Sequence, residues 1–84
     1  MKEHKFQQAL LKIAKMLKVS KKDMLSSNRK QHIVDARHFL YYVGNKKLDI
    51  GVCYMQTYLR RMGYGISHPS IIHGVQKVER MLED

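Results

Sequence analysis

Five histidines (His4, His32, His38, His68 and His73), one cysteine and seven carboxylates are the side chains with which this 84-residue chain could do chemistry. A structural zinc site takes four His, Cys or carboxylate ligands at short, regular spacing. Nothing here has that spacing. His68 and His73 are five residues apart and project from different sides of one helix, and no His-Glu-x-x-His pattern occurs. The acidic residues Glu3, Asp23, Asp35, Asp49, Glu79, Glu83 and Asp84 are scattered. No pair of them is arranged for nuclease metals or glycoside chemistry. A glycine-rich phosphate loop with Lys-Ser/Thr is missing, so no cofactor and no small-molecule substrate is expected. Cys53 lies in the apolar run Ile50–Leu59 and reads as a core residue rather than a nucleophile. Tyr41, Tyr42, Tyr54, Tyr58 and Tyr64 are the raw material for stacking on unpaired bases. Their helical spacing beside Leu40, Val43, Leu59 and Met62 makes most of them core or rim instead. The composition points away from an enzyme.

What remains is charge. Sixteen Lys and Arg against seven Asp and Glu give a net +9. Residues 1–47 hold twelve basic and three acidic side chains, hence +9, and residues 48–84 hold four of each, hence zero. A basic lobe on a small folded domain suits a polyanionic partner, either nucleic acid or an anionic membrane surface. A single cysteine forms no internal disulfide, and a reducing, cytoplasmic setting fits. The run Ile50–Leu59 is roughly half a bilayer span, and lysines interrupt the apolar residues of the N-terminus, unlike a signal peptide.

The elements that would position these groups are helical throughout. Phe6, Ala9, Leu10, Ile13, Ala14 and Leu17 recur on one helix face over about 3–18. Ser20-Lys21-Lys22-Asp23 predicts a capped short helix that buries Met24 and Leu25. Ser27-Asn28 offers the next cap. Ile33, Ala36, Phe39, Leu40 and Val43 make a third stripe, which Gly44-Asn45 is expected to end. The stretch 48–52 is ambiguous, because Asp49 suits a cap and Gly51 weakens a helix. Met55, Tyr58, Leu59 and Met62 form a fourth face. Gly63-Tyr64-Gly65 signals a turn. Ser67 caps a last helix with Pro69 in its first turn and Ile71, Val75, Val78 and Leu82 as its buried stripe. No period-two alternation appears. The expected fold is one all-α domain over 1–84, with four main helices and a short one.

The last two helices, joined by a glycine-rich turn, suggest a helix–turn–helix at about 53–83. In that motif the second helix enters the major groove of double-stranded DNA tip first. Pro69, His73, Gln76 and Arg80 lie opposite the apolar stripe, with Ser70 and Lys77 flanking. Ser67, His68 and Ser70 sit at the tip, where Ser and His suit base edges or phosphates and Pro69 suits a thymine methyl.

The segment Gly65-Ile66-Ser67-His68-Pro69-Ser70-Ile71-Ile72-His73-Gly74-Val75-Gln76-Lys77-Val78-Glu79 resembles the signature that closes the bacterial replication initiator DnaA. That signature runs Gly-Arg-Asp-His-Ser/Thr-Thr-Val-Leu-His-Ala and then a helix ending Lys-Ile-Glu. Leu25-Ser26-Ser27-Asn28-Arg29-Lys30 resembles the family's Leu-Ser-Lys-Arg-Arg segment, and Ile33-Val34-Asp35-Ala36-Arg37-His38 its Val-Ala-X-Pro/Ala-Arg-Gln helix. The order agrees from about Phe6 to the C-terminus. The resemblance implies a Trp-repressor-like domain that binds double-stranded DNA. It places Arg29 in the minor groove, Arg37 on a phosphate, Ser67, His68, Pro69 and Ser70 in the major groove, and His73 and Lys77 near the backbone. Ser67 stands where the family has an acid, Ile66 where it has Arg, and Pro69 where it has Thr. These changes imply a different target sequence, since one good base contact is worth about 1–3 kcal/mol.

The expectation is therefore a non-enzymatic, sequence-preferring DNA-binding domain. Lys21, Lys22, Lys30, Arg37, Lys46 and Lys47 are its candidate phosphate contacts. With no ATPase module before Met1, the chain fits a stand-alone replication or transcription-regulatory protein of a phage or other mobile element, associated with the nucleoid. The rival is an adaptor that uses the same fold to bind a replication protein, or an anionic membrane surface, through its basic amphipathic first helix.

Overall fold

A computed structural model describes residues 2–26 and 29–83. Five α-helices follow one another: α1 (Lys2–Met16), α2 (Lys21–Met24), α3 (Gln31–Tyr42), α4 (Val52–Arg61) and α5 (His68–Glu83). α3 runs on through a π-helical turn, Val43–Lys47. Among the described residues there is no strand. The fold is all-α with four long helices and one short one, as the periodicity predicts. The radius of gyration is 11.5 Å, against about 12 Å for a compact chain of this length.

The apolar stripes build the core. Phe6, Leu10, Ile13 and Ala14 of α1 face Ile33, Ala36 and Leu40 of α3, Met55, Tyr58 and Leu59 of α4, and Ile71 and Val75 of α5. Phe6 meets Tyr58 edge to face, with ring centroids 5.1 Å apart. The long helices cross closely where a side chain is missing. A Cβ at Gly74 would stand 2.8 Å from His38 Cδ2 and 2.9 Å from Tyr41 Cδ2, so α5 lies directly on α3.

Local endings differ from expectation in instructive ways. α1 stops at Met16, and Lys18 closes it at φ +56°. The amide of Val19 donates to Ala14 O (2.8 Å) and that of Lys18 to Lys15 O (3.3 Å), the two bonds of a Schellman ending. Leu17 is left 40% exposed rather than in the stripe. Ser20 caps α2 by accepting from the Asp23 amide (3.1 Å), and Met24 is buried, with Leu25 only partly so. The cap expected at Ser27-Asn28 lies outside the described residues; α3 begins after Lys30, which makes no side-chain cap bond. Gly44 does not end α3. The chain passes it in the π turn, and Gly44 is buried because a Cβ there would meet Met55 Sδ at 2.8 Å and the Phe6 ring at 3.1 Å. The ambiguous stretch 48–51 is a connection: Asp49 turns at φ +56°, and the Asn45 amide donates to Ile50 O (3.0 Å). Ser67 does cap α5, accepting from the Ser70 amide (3.4 Å). Leu82, expected in the core, is 61% exposed.

Candidate nucleic-acid interface

α4 and α5 are joined by the connection 62–67, where Gly63 supplies a left-handed φ of +91°. The joint is locked by side chains. The amide nitrogen of Gln56 donates to Ile66 O at 3.1 Å, which turns its oxygen toward His68 Nδ1 at 3.2 Å. An amide oxygen only accepts, so Nδ1 carries the proton. The Sγ of Cys53 lies 3.8 Å from the ring's Nε2. His68 is half-buried and turned back onto α4, where its ring bridges the two helices. The expectation for Cys53 is corrected: it is exposed beside this bridge instead of in the core. Gln56 went unrecognised as a positioning residue. Its only trace in the sequence is its place one turn after Cys53 on the α4 face toward the joint.

An open groove of about 620 Å³ separates the front of α3 from the connection and the first turns of α5. Arg29, Arg37, His38 and Tyr41 line one side; Tyr64, Ser67, Pro69, Ser70 and His73 line the other. Six of the expected site residues, Arg29, Arg37, Ser67, Pro69, Ser70 and His73, therefore share one feature. Arg29, Pro69, Ser70 and His73 are exposed. Ser67 and Ser70 point their hydroxyls at each other (2.8 Å). Past His73 the same face of α5 continues through Lys77 and Arg80 along a second, smaller groove that Met81 also lines. Lys30 follows Arg29 on the exposed approach to α3.

Arg37 lies at the groove's base and is not free to hold a phosphate. It is 6% exposed. Its Nε donates to Met24 O (3.1 Å), and one terminal nitrogen donates to Asp23 O (3.0 Å) and to Ser26 O. These are carbonyls at and just beyond the end of α2, where helical partners run out; Asp23 O also accepts from the Ser26 amide (3.2 Å) and hydroxyl (2.9 Å). The guanidinium carbon also sits 5.2 Å from the Tyr64 ring centroid, a cation–π contact. Arg37 joins the α2–α3 corner to the connection before α5. Lys46 is likewise engaged, at 3.3 Å from Glu79, whereas Lys47 on the π turn and Lys21 and Lys22 on α2 are exposed.

Two polar atoms beneath the groove lack hydrogen bonds, His38 Nδ1 and the Tyr41 hydroxyl. Tyr41 is almost fully buried beside Tyr64 without reaching hydrogen-bond geometry. Burial, with Tyr64 adding to it, pushes its phenol above the ordinary range, so it stays neutral. The His38 ring meets His73 edge-on at 5.9 Å. Burial, reinforced by Lys77 and His73, lowers its pKa from 6.5.

Among the described residues no three His, Cys, Asp or Glu side chains gather to hold a metal ion. No described helix is long and apolar enough to cross a membrane. Of the five tyrosines, Tyr41 and Tyr58 are buried and Tyr54 is 38% exposed. Compared with known proteins, the chain matches no family model, no curated protein and no solved structure.

Proposed function

We propose that this chain binds double-stranded DNA and catalyses no reaction. One observation carries the proposal: Arg29 and the exposed tip of α5 line the same groove, and the basic face of α5 continues from it. The tip would enter the major groove, with Pro69 and Ser70 against base edges. Arg29 would reach an adjacent minor groove, whose narrow form concentrates negative potential. His73, Lys77 and Arg80 would follow the strand along α5, with Lys30 and Lys47 on neighbouring phosphates. The resemblance to the DNA-binding end of DnaA supports this reading. It fits a replication or transcription regulator that works on the nucleoid, including one carried by a phage or other mobile element. The geometry supports a modest reader: with His68 turned inward, Pro69, Ser70 and Arg29 carry base preference.

Fluorescence anisotropy against labelled duplexes tests the proposal. If roughly five phosphates are neutralised, log affinity falls with log salt at a slope near −4 to −5. Lys77→Ala should lower that slope by about one and weaken all sequences alike. Arg29→Ala and Ser70→Ala should narrow the gap between duplexes selected from a random library and random duplex. A slope near zero would refute the proposal. The rival adaptor reading rests on the exposed Leu11 and Met16 of α1 and Leu17 just after it; flotation with anionic vesicles, without any shift of duplex, would favour it.

A further inference from the structure

Many of the lysines that give the chain its charge stand away from the groove between α3 and α5. Between His4 and Lys22 there are six, Lys5, Lys12, Lys15, Lys18, Lys21 and Lys22, and no acidic side chain. All six are exposed, and none of the contacts proposed above uses them. Three belong to α1. At 100° per residue, Lys5, Lys12 and Lys15 fall within an arc of about 80°, turned away from the buried Phe6, Leu10, Ile13 and Ala14. They span about 15 Å of helix, and Lys18 follows just past its end. This row lies on the far side of the molecule. The groove takes in Arg37, His38 and Tyr41 of α3, and α5 packs on the same side, with Gly74 against His38 and Tyr41. α1 meets α3 beside Phe39, and beside Val43 just past its end. Around α3 these two sets of residues lie on opposite sides.

The chemistry of this second face selects its partner. A row of ammonium groups with no carboxylate among them matches a regular row of phosphates. A bilayer matches it less well. A helix that lies in lipid turns its apolar face there, and the apolar face of α1 is turned to the core. The exposed Leu11 and Met16 stand singly at the two edges of the lysine arc. We propose, on the reading that the α5 side holds a first duplex, that α1 carries a second duplex-binding face, blind to sequence, so that one chain bridges two segments of DNA. The fold keeps the two segments apart. Its shortest extent is 22 Å, about two Debye lengths at about 0.1 M salt, so the phosphates of one segment are screened from those of the other. Roughly three or four phosphates at this face give log affinity a salt slope near −3. The dissociation constant then sits at the weak end of non-specific binding, on the order of 100 μM at physiological salt.

A capture assay with the full chain tests it. One duplex is fixed to beads, a fluorescent duplex of unrelated sequence is free in solution, and the chain is added at about 50 μM in about 0.1 M salt. The fluorescent duplex should be retained. Lys5→Gln, Lys12→Gln and Lys15→Gln together, at exposed positions and with good helix propensity, should lower retention at least tenfold while keeping the helical circular-dichroism signal. The same variant should bind a single duplex, by anisotropy, within about threefold of wild type. Arg at the same three positions should keep retention. Arg29→Ala, Lys77→Ala and Arg80→Ala together should also abolish bridging, yet leave weak binding of one duplex with a slope near −3. An equal mixture of the Gln and Ala variants carries its two faces on different molecules and should not bridge; retention by the mixture would mean aggregation and would overturn the proposal. So would a wild type that binds one duplex and retains no second, or a Gln variant that retains it as wild type does, and the reading of the α5 side survives both results. A wild type that binds no duplex overturns the two together. Flotation with anionic vesicles that is lost in the Gln variant, in a chain that retains no second duplex, would give the face to a membrane.

Discussion

Replacing Arg37 by Met keeps most of the side-chain stem and deletes the charged head. That head serves three carbonyls, of Asp23, Met24 and Ser26, and stacks on Tyr64. A hydrogen bond to a charged group contributes about 1.5–3 kcal/mol net. The three share one guanidinium, so they do not add in full. The bond to Met24 O is buried, so its loss costs the most; the other two are part-buried and can turn to water. The balance is a loss of about 2–4 kcal/mol, out of roughly 4–13 kcal/mol for a domain of this length. At about 4–8 °C per kcal/mol the midpoint should fall by roughly 8–32 °C. Arg37→Lys keeps the charge but loses the fork, and should fall about halfway between. Urea unfolding followed at 222 nm gives the free energies, and duplex binding at a temperature where the variants stay folded gives the second half of the test. A residue that held a phosphate would lower the salt slope by about one on going to Met while costing little stability. Arg37→Met within about 0.5 kcal/mol of the parent would refute the structural role argued here.

Other substitutions have signs fixed by local geometry. Lys18→Gly relieves a left-handed residue at φ +56°, a strain of about 1–2 kcal/mol. Part of that is offset by the freer unfolded chain, so urea unfolding should show a gain of about 0.5–1 kcal/mol. Gly74→Ala would ordinarily favour a helix by about 1 kcal/mol. Here the new methyl meets the buried Tyr41 ring at 2.9 Å, and overpacking of about 1–3 kcal/mol outweighs the gain. The variant should be less stable, and a rise in its thermal midpoint would contradict the close crossing. His38 has a lowered pKa, chiefly from burial. Its contribution is therefore complete above its ordinary 6.5 and is lost as pH falls through that value toward the folded pKa. Between about pH 7 and pH 5, wild type should lose more thermal stability than His38→Gln; parallel curves would dismiss the effect.

What the sequence disclosed depended on how local the cause was. The stripes of α1 and α5 and the Ser20 and Ser67 caps follow from residues within a turn or two of each other, and they were readable. Gly44 was misread because the cause of its glycine lies in Phe6 and Met55, far along the chain. The π turn carries α3 past the expected stop. Arg37 and His68 carry a resemblance to DNA-contacting positions, yet each hydrogen-bonds within the fold, Arg37, buried, to carbonyls thirteen and fourteen residues back and His68, half-buried, to Gln56 twelve residues back. Type and spacing do not reveal a donor already in use. The groove that unites Arg29 with Pro69, Ser70 and His73 is likewise a product of how α3 and α5 cross.

The two supports beneath that groove differ in how they answer to acid. A guanidinium keeps its proton at every accessible pH, so the tie from Arg37 to the α2–α3 corner and Tyr64 is permanent. The neighbouring contact of His38 with α5 is made by a partly buried imidazole whose pKa burial holds below 6.5, so acid strong enough to charge it works against that contact. Acidification should thus unlatch α5 from α3 while the opposite wall stays fastened. Amide hydrogen exchange at about pH 5 would register this as early opening of the first turns of α5, and uniform exchange across both walls would speak against it.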